Sequence, residues 1–298
     1  MDEFTVIRWL TFLLCWTTQA NAITVIDDTN RQVEIPAPAE RIVALAPHIV
    51  ENLFAVGLGD RIVGAVQHSD YPAEARTIPI VGGFNSLNIE AILALNPDLI
   101  VTWGTGNNDP KMARLAGMGF PIYVSEPNTL KKITANLKDF AVLGGSETAS
   151  LDAAADFERK LDAVPIHSAS SFTVLYQIWN DPIQTLNGQH IANEILERCG
   201  LRNLFAKEPT IAPILSLEGV LSENPEVIIG SGFADERPEW LDRWRQFREL
   251  RAVRNNALWA INPDFLQRPT TRILEGLQNI CALTEALRSE QAADPLQP

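Results

Sequence analysis

An internal repeat constrains the fold of this chain more than any other feature of its sequence. Residues 88–106 read NIEAILALNPDLIVTWGTG, and residues 216–234 read SLEGVLSENPEVIIGSGFA with no gap needed to align them. The repeat pairs Glu90 with Glu218 and the first Asn-Pro with the second. A unit that returns at a fixed offset predicts two similar lobes, and a ligand held between lobes is a common use of that design.

The chain is long enough for two lobes and begins like an exported protein. It has 298 residues, of which 46% are apolar and 20% are charged, and a net charge of −13. The first 22 residues combine an apolar run with Ala20-Asn21-Ala22, which predicts a signal peptide over 1–22 and export to the periplasm. Lipid anchoring at Cys15 is the alternative. The acidic balance argues against nucleic acid or anionic lipid as a partner.

Two cysteines remain once the signal peptide is removed, namely Cys199 and Cys281. An even pair in an oxidising compartment predicts a disulfide. A structural zinc site is the alternative, but the two residues lack the CxxC spacing of such sites.

Strand and helix patterns alternate along the chain and predict an α/β fold with parallel sheets. A hairpin over 23–40 opens an N-terminal lobe spanning 23–145. A helix-rich stretch over 146–165 is interpreted as the connector. A C-terminal lobe spans 166–290, includes a Trp- and Arg-rich helix near 238–253, and is followed by a tail at 291–298.

Enzyme motifs are weak in this sequence. The GTG and GSG segments after two predicted strands lack the third glycine of a dinucleotide-binding loop, and no GxSxG, Walker or HExxH motif occurs. The four histidines are scattered, which does not favour a metal site. A two-lobed metal- or nucleotide-dependent enzyme remains an alternative, for which only His68, Asp264 and Arg268 offer titratable groups in the predicted cleft.

Large flat side chains fall at or just past predicted strand ends, the edge that faces the ligand crevice in open α/β sheets. Core packing is the simpler explanation for any one of them, but several in equivalent places favour a large, partly apolar ligand. These side chains are His68, Phe84, Trp103, Trp179 and Phe265.

The repeated acids Glu90 and Glu218 each fall in the first turn of a predicted helix. A carboxylate there stabilises the helix by opposing its macrodipole, which is one sufficient explanation. The alternative is that the two charges dock onto two equivalent basic sites of a symmetric partner.

From Arg41 to about Arg288 the chain resembles the Fe/cobalamin-type periplasmic substrate-binding domain. The resemblance rests on HSDYPAEARTIPIVGG, the LNIEAILALNPDLIVTWGTGN block, LERCGLRNLF and RILEGLQNICAL, which occur in the order typical of that family. It implies two Rossmann-like α/β lobes joined by a single long helix, the class III arrangement of periplasmic binding proteins. It also implies a receptor that performs no catalysis.

The resemblance further implies a ligand and a partner. The ligand is a corrinoid, cobalamin, which is transported and is not a cofactor, and the partner is the permease dimer of an ABC importer, with the receptor itself monomeric. Haem and ferric siderophores are the alternative ligands within the same fold.

Site residues carry over from the family position by position. The aromatic lining falls on His68 and Phe84, and Tyr176 and Trp179 are substitutes for an aromatic that is displaced here. Ala212 stands where the family has a cleft tryptophan. Glu90 and Glu218 match two glutamates that pair with permease arginines, and Cys199 and Cys281 match a disulfide. The ligand-contacting stretch near the end comprises Asp264, Phe265, Leu266, Gln267 and Arg268.

Overall fold

The structure is a computed structural model that describes residues 22–83, 86–107, 110–145, 149–167, 172–232 and 237–293. Most of the predicted signal peptide, Phe84 and the end of the predicted tail lie outside these residues. No helix in the described ranges is long and apolar enough to cross a membrane.

An antiparallel hairpin precedes a parallel four-stranded sheet, the core of the N-terminal lobe, whose strand order is β4 (Ile62–Ala65), β3 (Ile42–Ala44), β7 (Leu99–Trp103) and β8 (Ile122–Ser125). The hairpin confirms the alternation predicted over 23–40. The strands are β1 (Ile23–Ile26), β2 (Gln32–Ile35), β3 (Ile42–Ala44), β4 (Ile62–Ala65), β5 (Gly82–Gly83), β6 (Ser86–Leu87), β7 (Leu99–Trp103) and β8 (Ile122–Ser125), and the helices are α1 (Pro47–Ala55), α2 (Ile89–Ala94) and α3 (Pro110–Gly117).

Two long helices follow this sheet, α4 (Leu130–Leu143) and α5 (Ala149–Ala163), and they pack against each other. The Thr129 side chain caps α4 by accepting a hydrogen bond from the amide of Lys132. The large buried side chains Phe140 of α4 and Phe157 of α5 belong to one continuous apolar core that also contains residues of both sheets. The connector predicted over 146–165 corresponds to α5 alone, and its packing on this core favours limited hinge motion.

The C-terminal lobe is built on a six-stranded sheet. Its strand order is β12 (Ile214–Leu215), β10 (Ile183–Thr185), β9 (Phe172–Trp179), β13 (Val227–Ser231) and β14 (Leu258–Ile261), and β11 (Leu201–Asn203) pairs with β9. Strands β9, β11, β13 and β14 are parallel, whereas β10 is antiparallel to both of its neighbours, β9 and β12. This sheet is therefore mixed and not wholly parallel as predicted. The strands are β9 (Phe172–Trp179), β10 (Ile183–Thr185), β11 (Leu201–Asn203), β12 (Ile214–Leu215), β13 (Val227–Ser231) and β14 (Leu258–Ile261), and the helices are α6 (Ile191–Arg198), α7 (Leu217–Glu223), α8 (Arg251–Arg254) and α9 (Ile273–Ala293).

The sequence repeat is a structural repeat of helix, turn and strand. Asn88 and Ser216 cap α2 and α7, and each side chain accepts a 3.0 Å hydrogen bond from the amide three residues later. Both helices are followed by an asparagine in the left-handed region, with φ of 43° at Asn96 and 47° at Asn224. Asparagine tolerates that region better than most residues, so the repeated Asn builds the turn into the next strand.

A carboxylate two residues after each repeated asparagine ties the new strand to its sheet. Asp98 accepts hydrogen bonds from the amides of Glu40 and Arg41, just before β3. Glu226 accepts a 2.8 Å bond from the amide of Thr173 in β9. The repeated NPD and NPE segments are therefore structural devices at the amino edge of each sheet.

The helix predicted over 238–253 is wrong in type. The structure has a 3₁₀ helix over Glu239–Gln246 and only a short α-helix, α8, over Arg251–Arg254. Leu241 and Trp244 are buried, whereas Asp242 and Arg245 are exposed and paired. Spacing of three between the buried residues is the period of a 3₁₀ helix.

The predicted disulfide is confirmed. Cys199, which follows α6, is bonded to Cys281 of α9 across 82 positions of sequence. The Cys199 side chain is fully buried against the core. The bond therefore fixes the closing helix to the outer layer of the C-terminal lobe.

Candidate functional site

A cleft lies at the carboxyl ends of the parallel strands, where α/β folds place their ligands. Trp103, Trp179 and Ser231 are the last residues of β7, β9 and β13. The cleft contains two cavities, of about 270 Å³ on the side of the N-terminal lobe and about 720 Å³ on the side of the C-terminal lobe. Gln267 lines both cavities, so they adjoin.

The smaller cavity has an aromatic wall. Trp103 packs edge-on against His48, with 5.5 Å between the ring centroids, and its indole N–H donates to the Glu126 carboxylate at 3.3 Å. His68 lines the same cavity and is exposed, with a φ of 66° that turns the chain at this point. The structure therefore brings two of the sequence-predicted side chains, Trp103 and His68, to one surface.

His48 belongs to this wall although the sequence did not single it out. Its side chain is buried, and burial, followed by the nearby Arg268 charge, lowers its pKa to about 3. The imidazole is thus neutral near pH 7 and contributes a flat, uncharged surface to the cavity. His48 is the second residue of α1, shortly after the end of β3, and this position could have predicted that it faces the cleft.

The larger cavity is lined by Trp179 and Trp240. Trp179 is 48% exposed, and its indole N–H donates to the carbonyl of Asp181 at 3.0 Å, which fixes the ring at the cavity wall. Trp240 comes from the 3₁₀ helix that sequence patterns predicted as an α-helix. Its contribution was missed because that segment was interpreted only as a helix.

Five charged side chains join the two lobes beside the smaller cavity, and we name them the bridging cluster. The hydrogen bonds in this cluster join ionised groups, and each ion pair is at least partly shielded from water. The cluster comprises Glu51 and Asp70 from the N-terminal lobe and Asp264, Arg268 and Arg272 from the C-terminal lobe.

Glu51 is the most buried member of the bridging cluster, with a side chain that is 3% exposed. It binds Arg272 through both carboxylate oxygens, at 2.9 and 2.7 Å, and accepts a 3.0 Å bond from Nη1 of Arg268. Burial opposes the charged form of Arg272, but its hydrogen bonds to Glu51 and the charges of Glu51 and Asp264 outweigh that effect and raise its pKa. Arg272 also lies over the Tyr71 ring, 4.0 Å from its centroid.

Four predicted ligand contacts lie away from the cavity walls, and one of them, Asp264, belongs to the bridging cluster instead. Tyr176 and Leu266 are completely buried, so the structure places both in the core rather than at the cleft surface. Burial raises the pKa of Tyr176 to about 12, and its hydroxyl accepts a 3.0 Å bond from Gln267. Phe265 is half-buried and packs 5.5 Å from the Arg272 guanidinium without lining either cavity. Phe84 lies outside the described residues.

Glu90 and Glu218 are both exposed in the first turns of α2 and α7. Each helix precedes a parallel strand, so its first turn lies toward the carboxyl edge of its sheet, beside the cleft. In the described part of the chain, no group of three His, Cys, Asp or Glu side chains is placed to hold a metal ion.

Two α/β lobes, a helical connector and an aromatic cleft between them define a two-lobed ligand-binding protein. Comparison with known proteins identifies the family. Residues 42–264 match the periplasmic binding protein family, and the chain belongs to it. The resemblance derived from the sequence and the class III fold are thereby confirmed.

Relatives in this family have named ligands. The chain is 38% identical over 248 residues to a vitamin B12-binding protein of Vibrio cholerae, covering 83% of this chain and 89% of that protein. It is similar to the crystal structure of a periplasmic vitamin B12-binding protein of the same species, with 36% identity, a TM-score of 0.74 and coverage of 84% and 98%. A periplasmic haem-binding protein of Roseiflexus sp. RS-1 shares the fold at 22% identity, with a TM-score of 0.70 and coverage of 84% and 99%.

Proposed function

We propose that this protein captures cobalamin in the cleft between its lobes and delivers it to an ABC importer, without chemistry on the ligand. The observation that carries the proposal is the 38% identity to a vitamin B12-binding protein over 83% of the chain. The relatives at 30–38% identity are likewise named vitamin B12-binding proteins.

The cleft suits a ligand of this kind. Its cavities of about 270 and 720 Å³ reach the upper range of small-molecule sites when taken together. Trp103, Trp179 and Trp240 offer flat apolar surface on both sides, and aromatic rings contribute much of the contact energy in such sites. Haem is the second candidate, because a haem-binding protein shares the fold.

A tryptophan fluorescence titration tests the proposal. Cyanocobalamin, haem and a ferric hydroxamate siderophore are added separately to the purified protein without residues 1–22. We expect saturable quenching by cyanocobalamin at submicromolar concentration and weaker binding of the other two. Tight binding of haem or the siderophore, with no response to cyanocobalamin at tens of micromolar, would overturn the cobalamin proposal.

We also propose that Glu90 and Glu218 dock onto basic side chains of a permease dimer. Both charges are exposed beside the cleft, one on each lobe, and they occupy equivalent positions of the repeat. A two-fold symmetric partner presents the same basic patch twice, which such a pair can meet in a monomeric receptor. This proposal includes export to the periplasm through a signal peptide over residues 1–22, which would bring the receptor to the compartment of this contact.

A further inference from the structure

The bridging cluster contains more negative than positive charge. Glu51, Asp70 and Asp264 supply three carboxylates, whereas Arg268 and Arg272 supply two guanidinium groups. The cluster adjoins the smaller cavity, since Arg268 lines that cavity. The formal charge of these five side chains is −1, and a charged group on a ligand at this wall interacts with that charge.

Arg268 is already neutralised by protein carboxylates. Its Nη1 donates to Glu51 at 3.0 Å and to Asp70 at 3.3 Å, and its Nε pairs with Asp264 at 2.9 Å. Nη2 makes no hydrogen bond to the described residues, so its two N–H groups can donate to a ligand that reaches this wall. A neutral acceptor such as an amide carbonyl can use these donors without adding charge.

Glu51 holds this arrangement in place without lining either cavity. Its bidentate bond to Arg272 and its bond to Arg268 fix both guanidinium groups against α1. The neighbouring Asn52 side chain donates a 3.0 Å hydrogen bond to the carbonyl of Pro269, which secures the same loop. Glu51 is thus a positioning residue for the side chain at the cavity wall.

We propose that the bridging cluster is a charge filter, in which Glu51 orients and neutralises Arg268 so that the cleft accepts corrinoids with an amide rim and rejects those with a carboxylate rim. This inference rests on the proposed function and specifies the ligand chemistry of the same site. Binding a ligand carboxylate here costs its hydration free energy and brings it close to the negatively charged cluster. A ligand amide can instead accept hydrogen bonds from the two N–H groups of Nη2. The filter thus favours cobalamin and its amide precursors over polycarboxylate analogues and over the propionates of haem.

Two ring systems of equal size test the filter. Dicyanocobinamide carries an amide rim, and dicyanocobyrinic acid carries carboxylates in the same positions. Dissociation constants for both, and for cyanocobalamin, are measured by calorimetry with wild-type protein and with Glu51→Gln. We expect the wild type to bind the amide ring more tightly than the carboxylate ring. Glu51→Gln should lower the ratio of the two dissociation constants at least about tenfold, which is the effect of one hydrogen bond to a charged group.

Glu226→Gln is the matched control. Glu226 is also a shielded carboxylate paired with an arginine, Arg251, but it lies at the amino edge of the other sheet, away from the cleft. Its substitution changes the net charge of the protein equally and removes a comparable ion pair. We expect lower stability with an unchanged preference between the two rings.

Asp70→Asn covers the case in which Glu51→Gln does not fold. The Asp70 side chain is 55% exposed, so its neutralisation leaves the fold intact, and it removes the same unit of charge from Arg268. A preference unchanged within twofold in the folded variants, or equal binding of both rings by the wild type, would overturn the filter while cobalamin binding stands. Failure of the wild type to bind cyanocobalamin would overturn both proposals.

Discussion

Truncation of Trp179 gives a quantitative test of how the cleft binds its ligand. Trp179 is 48% exposed. An aromatic side chain offers up to about 250 Å² of surface, so ligand binding can cover about 120 Å² here. At about 25 cal/mol per Å², that contact contributes about 3 kcal/mol to binding.

Trp179→Ala is therefore expected to weaken cyanocobalamin binding on the order of 100-fold, since 1.4 kcal/mol corresponds to a factor of ten. Trp179→Phe should lose much less, because it retains a flat apolar ring. Calorimetric titration measures each dissociation constant.

Met118→Ala is the matched control for surface truncation. Met118 is 49% exposed and follows α3, toward the amino edge of the sheet and away from the cleft. Its truncation should leave the dissociation constant within twofold of wild type. If Trp179→Ala also stayed within twofold, the inference that this exposed ring is a major contact would be wrong.

Three further perturbations address docking and stability. The double reversal Glu90→Lys/Glu218→Lys should abolish association with the cognate permease in a pull-down and leave the cyanocobalamin affinity unchanged. The control Glu34→Lys/Glu223→Lys makes an equal charge change on two other exposed acids, one of them at the far end of α7, and should leave both association and affinity unchanged. Association retained by the Glu90/Glu218 variant would contradict the docking proposal. Cys199→Ser/Cys281→Ser removes the disulfide, which closes a loop with a sequence separation of 82. The free energy of unfolding, measured by urea denaturation, should fall by about 4 kcal/mol because the unfolded chain gains freedom. A loss under about 1 kcal/mol would argue against a stabilising role. Burial, opposed by the hydrogen bond from Tyr123, raises the pKa of Asp139 from 3.8 to about 6. Because the folded state holds this proton more tightly, stability is lost as pH rises from about 4 through about 6, and Asp139→Asn should gain stability over wild type across that window; parallel urea midpoints at all pH values would contradict it.

Local patterns were sufficient to predict the architecture. Alternation of buried strands with amphipathic helices predicted the parallel sheet of the N-terminal lobe and the parallel strands of the mixed C-terminal sheet, but not the antiparallel strand β10. The offset repeat predicted that α2 with β7 and α7 with β13 are equivalent. These features depend on neighbouring residues and on period, which a single sequence displays directly. The segment Glu239–Gln246 is a 3₁₀ helix, and the sequence did not reveal this type. Over eight residues, the three-residue spacing of apolar side chains in a 3₁₀ helix is hard to distinguish from the spacing of three to four in an α-helix.

The cleft was only partly predictable. Trp103 and Trp179 were found from their positions at strand ends, but burial of Tyr176 and Leu266 depends on packing that the family pattern does not specify. The bridging cluster was missed entirely as a cluster. Its contact between Glu51 and Arg272 spans 221 positions of sequence, and no local periodicity indicates which distant charges meet when two lobes pack.

The central claim is that a corrinoid binds between the two lobes. A crystal structure of the mature protein with cyanocobalamin tests it most directly. The account predicts one corrin ring in the cleft, within about 4 Å of Trp103 and Trp179, with a rim amide accepting a hydrogen bond from Nη2 of Arg268. An empty cleft, or a ring bound outside it at saturating ligand, would contradict the account.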